Sequence, residues 1–378
     1  MARRLPDGSY SSQRQPQSGI LTAGDHDDLL NPKAYAEYAE RFLQSRPNGM
    51  PFVDTRTRQI VKVVDGNGRP VPFARVDVSR QQGPLTLYTA ADGVASFFPA
   101  FDRVSGQSRI LVTSTAGRAS KTIQVGGRSP VPAVVALQGR APTVSAMDVA
   151  IVLDTTGSMG DEMEFLQSEI VAIVDRVRRN AGNIDVNVGL IAYKDDGDEY
   201  VVRTYGMDGD VRTVRNQISA LSAGGGGDTP EAVDRAMQTA EKLPWRRNAA
   251  KVVLLVADAP PHEEGLAATM TATSRLRSKG VQIVPLAASG VDDTAQYVMR
   301  TMAAMTQGRY VFLTDDSGVG NAHAEPSVGC YAVTRLDQLL TRILSSIVTG
   351  RRIESPQQDV IRTVGAARRG RCIDESGQ

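Results

Sequence analysis

The chain has 378 residues, more than one ordinary core holds, so two domains are expected. With 41% hydrophobic and 22% charged residues it has the composition of a globular protein. A net charge of +1 excludes a global attraction to nucleic acid or anionic membrane, and no apolar run is long enough to cross a bilayer.

Residues 1–24 are polar, rich in glycine, serine and glutamine, and read as a disordered segment. The opening "MARRLPDGSYSSQRQPQSG" is basic but has no apolar stretch behind it. Either the protein stays in the cytoplasm, or an export signal has been removed. Within residues 25–50, "NPKAYAEYAERFLQS" predicts a short helix, with Asn31 as its cap and Pro32 in its first turn. Tyr35, Tyr38 and Phe42 fall on one face, so this helix is expected to dock.

From about Phe52 to Leu137 the apolar residues alternate with period two, around a Gly-Asn-Gly turn at 66–68 and around Asp92-Gly93. Short strands with turns every eight to twelve residues predict an antiparallel β-sandwich over 51–140. A linker, 141–146, follows.

Over 147–350 strand-like and helix-like runs alternate. The strand candidates are "DVAIVLD", "VNVGLIAY", "EYVVRTY", "KVVLLVADA", "VQIVPLAA" and "RYVFL". Most are continuous apolar runs, the pattern of parallel strands covered on both faces. Leu166, Ile170, Ile173, Val174 and Val177 make one helical stripe. A second runs from Leu336 to Val348, with Gly350 placed to end it. The fold class is therefore a doubly wound α/β domain with a mostly parallel sheet. "EYVVRTY" follows its predecessor too closely for a helical crossover, so it is expected to be one antiparallel edge strand. Residues 351–378 read as a C-terminal tail, with the basic "AARRGRC" solvated. The two cysteines, Cys330 and Cys372, fit either one disulfide or two free thiols, and their spacing favours neither.

Ligands of open α/β sheets bind beyond the carboxyl ends of the strands, so the loops there carry the chemistry. After the first strand comes "DTTGSMGDE", Asp154 to Glu162; after the fourth comes Asp258; between them "GGGGDTPEA" opens a helix. If the first and fourth strands are neighbours, these loops converge. The groups they bring are hydroxyls and carboxylates, and hard oxygen donors select Mg²⁺, Mn²⁺ or Ca²⁺ over zinc or copper. A cation held largely by neutral hydroxyls keeps charge with which to accept an external carboxylate.

Asp-x-Thr-x-Ser after a buried strand, a later Thr in a glycine-rich loop and an Asp after the fourth strand resemble the von Willebrand factor A domain. The resemblance covers about Met147 to Gly350. It implies a metal-ion-dependent adhesion site with Asp154, Thr156, Ser158, Thr229 and Asp258 as ligands. Thr156 stands where many members have serine; either supplies a hydroxyl. "DTTGSMGDE" with the later "DTPEA" further resembles the A-like domain of integrin β subunits. That likeness implies Glu231 as an additional ligand, Asp161 and Glu162 at an accessory cation, and a C-terminal helix that shifts on binding. Asp228 is a further candidate metal ligand. Without a metal, acids in the first turn of a helix are favoured by its dipole, and Asp228 can simply cap the helix that follows. "VVDGNGRPVPFARVDV" with "TAADGVASF" resembles the carboxypeptidase regulatory-like, transthyretin-type fold, which implies a spacer holding the metal domain away from an anchor. This pairing is typical of exported proteins, and in an exported protein Cys330 is expected to pair with Cys372. His262 falls on the rim of the site or in a solvated loop; His323 lies near Asp315 and Asp316 in sequence.

Three functions follow. The first is a non-catalytic module whose cation takes a Glu or Asp carboxylate from a partner protein. The second is a metal hydrolase, disfavoured because no Ser-His-Asp order, nucleophile elbow or phosphate-binding Gly-Lys-Thr/Ser loop is present. The third is a cytoplasmic subunit docking on an ATPase through the same site, as some bacterial A-domain proteins do. No nucleic-acid partner is expected. Partner specificity is expected in loops around the site, including "YKDDGDE".

Overall fold

The computed structural model describes residues 21–45, 50–126, 131–227, 229–318 and 325–373. Its first element is a strand, β1 (Thr22–His26), inside the segment expected to be disordered up to residue 24. The rest of that expectation, 1–20, lies outside the described residues. Helix α1 (Pro32–Ser45) follows and buries Tyr35, Tyr38 and Phe42, with Phe42 stacked on Tyr297 at 4.3 Å between ring centroids. Asn31 is not a simple cap. Its amide donates to the carbonyls of Asp27 and Gly370 at 3.0 and 2.9 Å, and its Oδ1 accepts from the N–H of Cys372 at 2.8 Å.

Seven short strands come next: β2 (Gln59–Val64), β3 (Arg75–Val78), β4 (Leu85–Tyr88), β5 (Val94–Phe97), β6 (Gly106–Ser114), β7 (Gly117–Val125) and β8 (Ala133–Ala136). They form two sheets, β5-β2-β8 and β4-β3-β6-β7, around one core that includes Val61, Val76, Phe97, Ile110 and Val135. The expected sandwich is not wholly antiparallel, since β8 returns to pair in parallel with β2. Gly93 turns the chain at φ +74, where a side chain would meet the Val63 carbonyl at 2.6 Å, so only glycine serves. This module is no free-standing spacer. Arg277, from the α/β unit, donates to both carboxylate oxygens of Asp102 at 2.7 and 3.0 Å and to the Ser96 carbonyl at 2.8 Å, all buried. The Ser96 hydroxyl donates to Gln307 at 2.8 Å.

The remaining elements are β9 (Ala146–Asp154), α2 (Gly160–Asn180), β10 (Asp185–Tyr193), β11 (Val202–Asp208), α3 (Val211–Ser219), α4 (Val233–Glu241), β12 (Ala250–Ala257), α5 (Leu266–Arg277), β13 (Val281–Ala287), α6 (Asp293–Thr306), β14 (Tyr310–Thr314), β15 (Tyr331–Arg335), α7 (Leu336–Thr349), β16 (Arg362–Val364), β17 (Ala366–Arg368) and β18 (Arg371–Ile373). Nine strands make one sheet in the order β11-β10-β9-β12-β13-β14-β1-β15-β16. All six strands expected from apolar runs are present. The five central ones, β10 to β14 through β9, β12 and β13, pair in parallel. Every residue of β12 is buried, as a strand covered on both faces requires. Along β9 the side chains alternate between two cores. Val149, Ile151 and Leu153 join α2, α3 and α7; Ala150 and Val152 join α1, α4, α5 and α6.

β11 is the expected antiparallel edge strand, but it is not the only reversed one. β1 lies antiparallel between β14 and β15, and β16 pairs antiparallel with β15. The N-terminal segment and the expected tail therefore both complete this sheet. "AARRGRC" is the β17–β18 hairpin rather than a loose tail, although its side chains stay mostly exposed. Cys330 and Cys372 are disulfide-bonded, fastening that hairpin to the start of β15. No helix of the described residues is long and apolar enough to cross a membrane.

Candidate metal centre

β9 and β12 are neighbours, with Val256 opposite Leu153, so Asp154 and Asp258 leave adjacent strand ends. Strand order reverses between them, since β10 lies on one side of β9 and β12 on the other. This is the crevice where open α/β sheets bind ligands.

Asp154 is fully buried. Its Oδ1 accepts from the N–H of Thr156 at 2.9 Å and from the Thr156 hydroxyl at 2.7 Å. The hydroxyl proton is thereby engaged, leaving the oxygen of Thr156 as a neutral electron-pair donor. Oδ2 of Asp154 is buried with no hydrogen-bond partner among the described residues, as are one carboxylate oxygen of Glu231 and one of Glu162. The Tyr193 hydroxyl interacts with Asp154 but lies outside hydrogen-bonding geometry.

The electrostatics show what this arrangement lacks. Burial first, and then the charge of Asp258, push the Asp154 carboxyl up to about 7. Burial, then the charges of Asp154, Asp195 and Asp258, push Glu231 up to about 8. Glu162 is pushed up to about 7, mainly by burial, with Asp161 and Asp258 adding to it. Asp258 is raised by burial, opposed by a hydrogen bond from Ser158. Several carboxylates thus face one another with too few donors, and each raises the cost of ionising the next. A cation would reverse every one of these effects.

The glycine-rich loop is drawn over the first-strand loop by backbone contacts. Gly157 donates to the Gly225 carbonyl and Gly224 to that of Thr155, each at 3.2 Å. The Lys194 ammonium donates to the Thr155 carbonyl at 2.9 Å and also to that of Gly224. Gly226, at φ +70, must be glycine: a Cβ would come within 2.7 Å of Glu231 and 2.9 Å of Thr156.

Thr156, Ser158, Thr229, Glu231, Asp258 and Ser289 line one cleft of about 420 Å³, with Asp154 bonded beneath it. The three loops read from the sequence therefore converge. Glu162 turns toward the end of β13, where its Oε1 accepts from the N–H of Ser289 at 3.4 Å. Asp161 does not line the cleft; it sits in the first turn of α2 beside Glu162. His262 pairs with Asp195 at 2.7 Å. Asp228 and His323 lie outside the described residues.

Sequence reasoning missed Ser289, Lys194 and Tyr193. Nothing marks Ser289, which reaches the cleft because β13 lies beside β12. Lys194 and Asp198 belong to "YKDDGDE", read for partner specificity, yet both brace the site. Asp198 accepts from the N–H groups of Asp195 and Gly226 at 3.1 and 3.0 Å.

Residues 148–324 match the family model of the von Willebrand factor type A domain, and the α/β unit is a domain of that type. A segment of 117 residues, 31% of the chain, is 32% identical to Alpha-protein kinase vwkA of Dictyostelium discoideum and spans only 19% of that protein. Among solved structures, the conserved hypothetical protein BatB of Bacteroides thetaiotaomicron is similar at 17% identity and a TM-score of 0.38, over 53% of this chain and 98% of that one. Proximal thread matrix protein 1 of the mussel byssus, solved with a zinc-occupied MIDAS motif, is similar at 14% identity and a TM-score of 0.37, over 54% of this chain and 46% of that one.

Proposed function

We propose that the chain is a non-catalytic, metal-dependent protein-binding module. Asp154, Thr156, Ser158, Thr229 and Asp258 would hold a divalent cation, with Glu231 as an additional carboxylate. The observation that carries this reading is the set of buried carboxylate oxygens without hydrogen-bond partners, gathered at a cleft lined by hydroxyls. A buried carboxylate oxygen with no donor is costly, and a cation is a group that removes the cost. The donors are all hard oxygens, which favours Mg²⁺, with Mn²⁺ or Ca²⁺ as alternatives. When bound, the cation supplies a positive centre able to accept a Glu or Asp carboxylate from a partner protein. The opening of the cleft leaves room for that side chain.

A binding rather than hydrolytic role is supported by the cleft's composition. Among the described residues no imidazole or amine lines it, and His262 nearby is engaged by Asp195. General acid–base catalysis would need such a group aimed at the reacting atom. The Cys330–Cys372 pairing supports an oxidising compartment and weighs against the cytoplasmic ATPase-docking role. Two free thiols in the denatured, unreduced protein would overturn that assignment of compartment.

The experiment is calorimetric titration of Mg²⁺ and Mn²⁺ into chelator-stripped protein, beside Asp154→Ala and Asp258→Ala. Binding in the wild type that both variants lose supports the site. No binding in the wild type removes the chemical basis of the reading.

A further inference from the structure

We propose that His26, Cys330 and Cys372 form a second metal site, of opposite chemical character, whenever their disulfide is reduced. A ligand atom of His26 and the two sulfurs all lie within 4.8 Å of one another. His26 and Cys330 are buried, each 3% exposed, while Cys372 is half-buried and leaves a path for an ion. None of the three belongs to the oxygen-lined cleft, so the proposal stands apart from that reading.

The imidazole is already oriented. In the disulfide form its Nδ1 lies 3.2 Å from the Cys330 carbonyl oxygen and donates its proton there, so ligation through Nδ1 requires that proton to move to Nε2. Its Nε2 faces Asp28 at 3.7 Å. Asp28 is itself fixed by Arg300, whose guanidinium donates to its two oxygens at 2.7 and 3.1 Å. Asp28 stands ready to accept the Nε2 proton once Nδ1 gives up the carbonyl for a metal, and a carboxylate behind the non-ligating nitrogen is the outer-shell arrangement that orients metal-binding imidazoles. Two thiolates and one imidazole select zinc or copper(I) and reject Mg²⁺. Water entering beside Cys372 would complete a four-coordinate zinc site.

The redox balance is simple. A dithiol supplies the disulfide with two electrons and two protons and is itself oxidised to a disulfide; a phosphine supplies the two electrons and becomes the phosphine oxide, with water giving the oxygen and the two protons. Metal binding then releases two protons as the thiols become thiolates. In the oxidised chain the disulfide fastens the β17–β18 hairpin to the start of β15; in the reduced chain the metal keeps the same connection.

The test uses the full chain, reduced with a phosphine under anaerobic conditions and titrated with Co²⁺. Only sulfur ligation gives a thiolate-to-cobalt charge-transfer band, so Co²⁺ in the oxygen-lined cleft is silent in this readout. One equivalent should develop the band in the reduced wild type and none in the oxidised protein. Cys372→Ser should abolish it, and His26→Ala should weaken binding at least tenfold. Zn²⁺ should raise the melting temperature of the reduced wild type but not that of reduced Cys330→Ser/Cys372→Ser, which is read whether or not the metal-free chain is fully folded. A reduced wild type with no band and no thermal shift overturns the proposal. So does a His26→Ala variant that binds as tightly as wild type.

Discussion

In the absence of metal, Asp154→Asn should stabilise the protein at alkaline pH. The Asp154 carboxyl rises from an ordinary 3.8 to about 7 because it is buried beside Asp258. Between about pH 4 and pH 7 the folded chain therefore holds a proton that the unfolded chain has lost. Folding takes up that proton, so stability falls as pH rises through this window, and the penalty is complete above about pH 7. A rise of roughly three pH units at about 1.36 kcal/mol each makes it on the order of 4 kcal/mol. Asparagine keeps an oxygen for the Thr156 N–H and hydroxyl and removes the buried charge. Urea denaturation in chelator near pH 8 should show the variant more stable, by up to that amount. Near pH 4.5 the difference should shrink to about 1 kcal/mol. Excess Mg²⁺ near pH 8 should reverse the order, because only the wild type gains a full ligand set. A variant less stable than wild type in chelator near pH 8, or a gain that is undiminished near pH 4.5, would refute the reasoning.

Other perturbations test the frame around the site. Arg277→Met leaves Asp102 buried without its partner and should cost about 3–5 kcal/mol in urea denaturation, part of it recovered by adding Asp102→Asn. Gly226→Ala places a side chain at a positive φ against Glu231 and Thr156. It should cost roughly 1–3 kcal/mol and weaken Mg²⁺ binding in calorimetry; unchanged affinity would show that the loop's approach is dispensable. Lys194→Met removes the ammonium bridging the Thr155 and Gly224 carbonyls. Amide hydrogen exchange over 222–227 should accelerate while β12 keeps its protection; no change would mean that the backbone contacts alone hold the loop.

The central sheet was legible because its strands announce themselves. "AIVL", "GLIAY" and "VVLLVA" are buried on both faces, and only continuous apolar runs meet that demand. The candidate metal centre was legible because its donors follow the ends of two such strands, and because the helix-opening "DTPEA" brings Thr229 and Glu231 to the same place. β1 was not legible. "TAGDH" carries one alanine and one glycine among polar residues, and it becomes a strand only because β14 and β15 leave a gap of strand width. Gly24 is needed there, since a side chain would meet the Phe312 ring at 2.7 Å. β16 is a three-residue strand formed by pairing rather than by pattern. Lys194 was invisible for another reason. A lysine after an apolar strand reads as solvated, and its burial follows from carbonyls contributed by loops distant in sequence.

These unannounced strands bear on the expectation that the last helix shifts when the cation site is filled. α7 follows β15 without a break, and the Leu336 N–H donates to the Leu21 carbonyl at 2.9 Å. β15 is paired on one side with β1 through Ala23 and Thr334, and on the other with β16 through Tyr331 and Val364. The helix is held along its length as well. Arg176 reaches Asp337 at 3.1 Å, and beyond the last turn the Ile353 N–H donates to the Ser346 hydroxyl at 3.0 Å. Gly350, which ends the helix at φ +65, lies so close to Ala91 and Asp92 that a Cβ there would come within 2.7 Å of their backbone. A slide of one turn, about 5.4 Å, would have to break β15 from both neighbours and draw Gly350 off the β-rich module. An isolated A domain, free at both termini, meets no such resistance. In this chain the residues before and after the domain are part of its sheet, so the expected consequence of filling the cleft is a change in the loops that meet there. Glu162 links the first of those loops to Ser289 after β13, and Lys194 links it to the glycine-rich loop. Neither link requires α7 to move.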